Sequence, residues 1–227
     1  MNVLYEDNHI IVAVKPQNVP TQADASGDAD FLSMVKAYVK REYGKPGEAY
    51  IGLVHRLDRP AGGVMVFART SKAAARLSRQ IAAGEMEKNY CAVVDTGRIA
   101  DAAVLEDYLV KDTKTNNSRI AGAEEKGAKH ARLSYKTAES AGGLSLLDIA
   151  LETGRPHQIR VQLAHAGAPL VGDWRYGGRK SEKLCLWSYH IGIAHPTKKE
   201  RMDFCCPPPE GWPWNLFETA ISGILKK

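Results

Sequence analysis

His55-Arg56-Leu57-Asp58-Arg59-Pro60-Ala61-Gly62-Gly63 is a polar, turn-prone stretch that runs directly into the apolar Val64-Met65-Val66-Phe67-Ala68. A short apolar run bounded by turn residues reads as a buried strand. Ser71 then serves as the N-cap of a helix that continues through Leu77 and Ile81 to Gly84. A loop carrying charge, a core strand and an amphipathic helix follow one another here. On that helix Lys72, Arg76 and Arg79 share one face, and Ala74, Leu77 and Ile81 share another.

Upstream, residues 3–5 and 10–14 are apolar runs around the polar Glu6-Asp7-Asn8, which predicts strand, turn, strand. A Pro-, Gly- and Asp-rich loop over residues 15–30 leads to a helix over 31–43. Phe31, Val35 and Tyr38 stand there at helical spacing, and Gly44 and Pro46 stop it. Downstream, residues 90–94, 104–110, 131–138 and 144–151 read as strands, the last two joined through Gly142-Gly143. The polar region 111–129 reads as an exposed loop. Residues 157–166 read as a helix stopped by Gly167, with Ile159, Leu163 and Ala166 on one side. Strands over 184–193 and 201–204 and a helix over 216–225 close the chain. Many strands with few, scattered helices predict an α+β fold: a single domain over 1–227 on a large mixed, mostly antiparallel sheet, with flanking helices and a central cleft.

The 227 residues are 44% hydrophobic and 25% charged, which suits a soluble globular chain large enough to build its core without staples. The four cysteines never fall in C-x-x-C spacing, which argues against a zinc ribbon or a disulfide framework. Acidic residues stand in the first ten positions where a signal peptide wants lysines, and no apolar run approaches a membrane span. A reducing cytoplasm is the expected compartment. No P-loop and no G-x-G-x-x-G occurs, so neither metal nor cofactor is expected. Thirty-one Lys and Arg against twenty-six Asp and Glu give a formal charge of +5, which alone supports nucleic-acid binding only weakly.

Three clusters carry chemistry. In the first, Asp58 stands between Arg56 and Arg59, beside His55, and two cations favour its ionised form. Such a carboxylate suits a nucleophile or a base; the structural alternative is an ion pair that pins a turn. In the second, Leu151-Glu152-Thr153-Gly154-Arg155-Pro156-His157-Gln158-Ile159-Arg160, a helix from His157 would set His157 and Arg160 one turn apart, and an arginine there could hold a carboxylate or phosphate. The alternative is a basic helix end beside a glycine turn. In the third, Glu87-Lys88-Asn89-Tyr90, strand alternation points Lys88 and Tyr90 to one face, so that a ring and a cation would meet one ligand, as a base and its phosphate require.

In this order the clusters resemble the RluA-type RNA pseudouridine synthases. Lys15-Pro16-Gln17-Asn18-Val19-Pro20 resembles that family's first motif, K-P-x-G; H-R-L-D resembles the catalytic motif; Lys88 and Tyr90 match K-x-Y; and residues 153–160, with Gly172-Asp173 and Tyr176-Gly177, match the last. The resemblance implies that Asp58 is the catalytic aspartate, that Tyr90 stacks on the target uracil and that Arg160 pairs with the aspartate. It implies RNA contacts for His55, Arg56, Arg59, Lys88, Arg155, His157 and Gln158, with Arg56 placed to fill the stack a flipped base leaves. The chain departs from the pattern at Asn18, Ala61-Gly62, Gln162 and Trp187, where the family usually has Gly, Thr-Ser, His and His. An S4-like RNA-binding domain is not expected ahead of Lys15.

The implied reaction breaks the bond from the ribose anomeric carbon to the base nitrogen, turns the uracil, and rejoins it through a ring carbon. An ionised carboxylate at the sugar serves this, and a stacking ring keeps the detached base from leaving. Extruding a base from folded RNA costs a few kcal/mol, which phosphate contacts must offset. Lys72, Arg76 and Arg79, and the tract Lys111, Lys114 and Arg119, are the candidate phosphate contacts, each with a solvated charged surface as the alternative. The expected partner is structured ribosomal or transfer RNA, bound by a monomer. Two other readings compete: an RNA-binding or chaperone protein that keeps the fold without the activity, suggested by Ala61-Gly62, and a nucleoside or glycoside hydrolase using Asp173 or Glu152 as its second carboxylate.

Overall fold

A computed structural model describes residues 1–44, 47–97, 99–112 and 114–226. In chain order its elements are β1 (Val3–Glu6), β2 (Ile10–Lys15), α1 (Phe31–Glu42), β3 (Gly52–Leu53), β4 (Gly62–Ala68), α2 (Ser71–Ala82) and β5 (Glu87–Asp95). They continue as β6 (Ala102–Asp112), β7 (Asn117–Ala121), β8 (Lys129–Ala141), β9 (Leu144–Leu151), α3 (Gln158–His165), β10 (Leu186–Ala194), β11 (Arg201–Cys205) and α4 (Glu218–Leu225). This is the α+β fold on a large, mostly antiparallel sheet that the pattern predicts. The contacts gather in two compact units, Met1–Met86 with His190–Cys206, and Glu87–Tyr189 with Pro207–Lys227.

In the first unit β1, β2 and β4 pair antiparallel in that order, and β3 also pairs with β4. Ile10, Ile11, Val12 and Ala13 of β2, and all seven residues of β4, are buried. An unbroken apolar run, rather than an alternating one, is the mark of a strand covered on both faces. Leu77 and Ala73 of α2 pack against Ile10, Val12, Val64 and Val66. Phe31 of α1 brings its ring within 5.7 Å of Phe67. The cap of α2 is Thr70, one residue earlier than expected, its side chain accepting from the Ala73 N–H. Asp30 caps α1 in the same way. Gly44 follows α1 in a turn, whereas Pro46 lies outside the described residues. The Glu6-Asp7-Asn8 turn is closed by Asp7, whose carboxylate accepts from the N–H groups of His9 and Ile10.

In the second unit the order is β5-β9-β8-β6-β7, antiparallel throughout. The strands β6 and β7 correct the sequence reading of residues 111–129 as one loop: Asn117–Ala121 is a strand, paired with Tyr108–Asp112. It is a short, half-exposed edge strand of Asn, Ser and Arg with little apolar signal. The helix α3 is buried on every side, Gln158 through Leu163, rather than amphipathic. Among the described residues no helix is long and apolar enough to cross a membrane. Cys91 and Cys185 are buried, Cys206 is partly so, and Cys205 is exposed.

Candidate active site

Asp58 is half-buried in the turn that enters β4, and its carbonyl accepts the Ala61 N–H at 3.0 Å. The turn thus closes through backbone, without the hydroxyls of the family's Thr-Ser. Thr21 clamps the residue before it, donating its hydroxyl to the Leu57 carbonyl at 2.8 Å and accepting the Leu57 N–H at 3.3 Å. The β2–β4 register sets Lys15 opposite Gly63, so the ladder delivers Lys15 to this turn. Lys15 is fully buried, and its ammonium donates to the carbonyls of Pro16 (2.9 Å), Val19 (2.6 Å) and Arg59 (3.2 Å). Burial pushes its pKa down to about 7; the negative charge of Asp58 pulls upward and the Arg59 cation adds to the lowering. Three acceptors match the three N–H bonds of the charged amine.

The flanking arginines face outward. Arg59 turns outward to Asp24, Ser26, Asp28 and the Asn18 carbonyl, while Lys15 feels the charge of Asp58. Two acids already occupy its guanidinium, which weakens Arg59 as an RNA contact. Arg56 is exposed. His55 is half-buried and accepts the Val66 N–H on its Nε2 at 2.9 Å, which ties the motif to β4. Asn18 takes φ = 64°, a left-handed backbone that glycine adopts freely and asparagine tolerates best among the others. Its departure from K-P-x-G therefore keeps the bend.

In the second unit β5 presents Tyr90, buried, and Lys88, half-buried. Burial, reinforced by the like charge of Arg155, lowers the Lys88 pKa. Gly154 lies against this amine: a Cβ built there would sit 3.8 Å from the Lys88 Nζ. The second and third clusters therefore meet, and two cations share a partly desolvated place suited to an anion.

Residues 153–158 form a knot. Gln158 is buried; its carbonyl accepts from the Thr153 hydroxyl (2.8 Å) and the Arg155 N–H (3.0 Å), and its amide donates to the Arg132 carbonyl (3.1 Å). Both ends of the side chain are engaged inside the protein, so Gln158 positions the loop. His157 is not in the helix. It takes a left-handed backbone (φ 56°) just before α3, with Nδ1 2.8 Å from the Tyr176 hydroxyl. Arg155 donates its Nε to the His130 carbonyl at 2.6 Å.

Arg160 is buried and grips Asp173 with two bonds, Nε at 2.7 Å and Nη2 at 2.8 Å, and its guanidinium lies 5.1 Å from the Tyr176 ring centre. The Asp173 carboxylate accepts both bonds of the fork. Glu152 is exposed and paired with Arg132. Both candidate second carboxylates are thus already engaged by arginines. The proposed basic face on α2 also divides: Lys72 and Arg76 line a cavity of about 290 Å³ with His9, Thr70, Ala73 and Thr197, and Arg79 is exposed apart from it. Arg76 is already used, donating to the Pro196 carbonyl at 2.7 Å. In the other basic tract Arg119 pairs with Glu125.

Sequence reasoning quoted Lys15 and Asp173 within motifs but gave neither a role toward the charges around Asp58 and Arg160. The only signal was their place beside Pro16 and Gly172, since burial of a charged side chain leaves no periodicity.

Residues 9–165 match the family model described as RNA pseudouridylate synthase. The chain belongs to that family, and the RluA-type resemblance of its motifs agrees with the match. It is 33% identical over 230 residues to the ribosomal large subunit pseudouridine synthase D of Xanthomonas campestris pv. campestris, covering 92% of this chain and 66% of that one. It is 37% identical over 167 residues to an uncharacterized RNA pseudouridine synthase of Chloroflexus aurantiacus, covering 72% of this chain and 52% of that one. The chain thus spans between half and two thirds of these two relatives. The solved structure of human RNA pseudouridylate synthase domain containing 4 shares the fold, with a TM-score of 0.77 at 20% identity over 99% of this chain and 93% of that one.

Proposed function

We propose that this chain isomerises uridine to pseudouridine in structured RNA, working as one catalytic domain with Asp58 as its carboxylate. The observation that carries this is the built turn around Asp58: clamped by Thr21, closed through Ala61 and set beside a buried ammonium. A turn that only pinned the chain would not need a lysine carried into the core beside its carboxylate, since burying an amine is costly. On this reading Asp58 meets the ribose or the base of an extruded uridine, with Lys15 buried beside it. Tyr90 stacks on the detached uracil, Lys88 and Arg155 take a phosphate, and Asp173 orients Arg160. The names of the relatives point to ribosomal RNA as the first substrate to test, with transfer RNA second.

The test is tritium release from RNA labelled at uracil C5. Asp58→Asn, which keeps shape and removes charge, should lower release by about a thousandfold or more with RNA affinity retained. Turnover at the wild-type rate would remove Asp58 from the chemistry. Free uracil among the products would point to a hydrolase instead.

A further inference from the structure

Trp174 is 80% exposed, an unusual place for the side chain that buries most area when it can. It does not sit on a loose segment. Gly172, at φ +82°, is so close to the loop before β10 that a Cβ would fall 2.0 Å from the Lys183 carbonyl, and one on Gly178 would fall 1.9 Å from that of Leu170. The Gly172 N–H donates to the Arg179 carbonyl at 2.7 Å and the Gly178 N–H to that of Asp173 at 2.8 Å. Asp173 and Tyr176 point inward to Arg160 and His157, and Trp174 between them points out. The ring is therefore held in water by a loop that has no room to fold it in.

Its surroundings select a ligand. The Arg175 guanidinium lies 5.5 Å from the ring centre of Trp174, and its Nη1 donates to Asn116 O (3.0 Å) and Asn117 Oδ1 (2.9 Å) in the β6–β7 hairpin. That hairpin carries exposed Lys111 and Lys114. Its one acid between residues 111 and 119, Asp112, is turned onto its own loop, accepting from the Lys114 N–H and the Thr115 hydroxyl. A rigid aromatic plate among cations matches an unpaired base and its phosphates. An apolar protein partner would gain nothing from the lysines. We propose that Trp174 stacks an unpaired base of the substrate RNA that flanks the modified uridine, so that Trp174 and Arg175 select the RNA rather than take part in the reaction. This rests on the function proposed above, because Trp174 adjoins the carboxylate that orients Arg160.

The experiment compares the wild type with Trp174→Ala and Trp174→Phe by two readouts: tritium release from unmodified ribosomal RNA, and tryptophan fluorescence on titration with oligouridylate. Trp174→Ala should raise KM about tenfold with kcat within about twofold, and Trp174→Phe should fall between. Quenching by oligouridylate should shrink in both variants. A wild-type KM together with wild-type quenching in Trp174→Ala would overturn the proposal. So would unchanged RNA binding combined with altered self-association in sedimentation, which would make the plate a contact between copies. If the wild type released no tritium while Trp174-dependent quenching persisted, the activity would fall and the stacking site would stand.

Discussion

Lys15 and Asp58 together decide what the reactive turn can do. A lysine carried into the core at the end of β2 has a pKa near 7 instead of the ordinary 10.5, so between those values the unfolded chain holds a proton that the folded chain has released. Where the unfolded state binds more protons, stability rises with pH. Stability of the wild type relative to Lys15→Met should therefore climb by about 1.4 kcal/mol per pH unit from about pH 7 to about 10. Urea unfolding of both proteins across that window checks it, and a flat difference would show that Lys15 titrates normally. The position of Asp58 was legible, because a charged turn entering an apolar strand announces itself. Lys15 as a neighbouring charge was not: the sequence offered Arg56 and Arg59 along the chain and the resemblance offered Arg160, whereas the β2–β4 register brings in Lys15 from the other strand.

At the level of elements, α3 shows what a helix buried from Gln158 through Leu163 can hold. Arg160 and Gln162 lie on it with almost no exposure, the first gripped by Asp173 and the second donating to Asp107 at 2.7 Å. Removing one partner of a buried pair leaves a charge without compensation, which typically costs about 3–5 kcal/mol. Asp173→Asn should lose stability of that order in urea unfolding. A loss below about 1 kcal/mol would mean that the fork is supported by other groups. Strand β9 was readable to its ends because Leu144–Leu151 is apolar and follows a two-glycine turn. Helix α3 was readable as a helix, but its start was not, because His157 occupies a left-handed backbone that only Gly, Asn, Asp and occasionally His announce. Strands β3 and β7 were missed for a simpler reason: two residues in one case and a polar edge in the other carry too little pattern.

Over the whole molecule, the α+β class followed from the number and spacing of apolar runs. The grouping of contacts did not, since residues 186–194 are one uninterrupted strand that contributes to both units, with no change of composition to mark the division. The state of the thiols is likewise a property of the assembled chain. Burial lifts the Cys185 pKa to about 12 and that of Cys91 also upward, the Cys205 thiol is raised by partial burial and the charge of Asp203, and the Cys206 thiol is raised by partial burial. None of the four is poised to ionise at neutral pH, and the protonated form is a poor nucleophile. Protein stored in air should accordingly keep its free sulfhydryl count for days, and a thiol-reactive dye should mark Cys205 slowly. Rapid loss of titratable thiol, or fast dimer bands on a non-reducing gel, would contradict this and require reductant in every preparation.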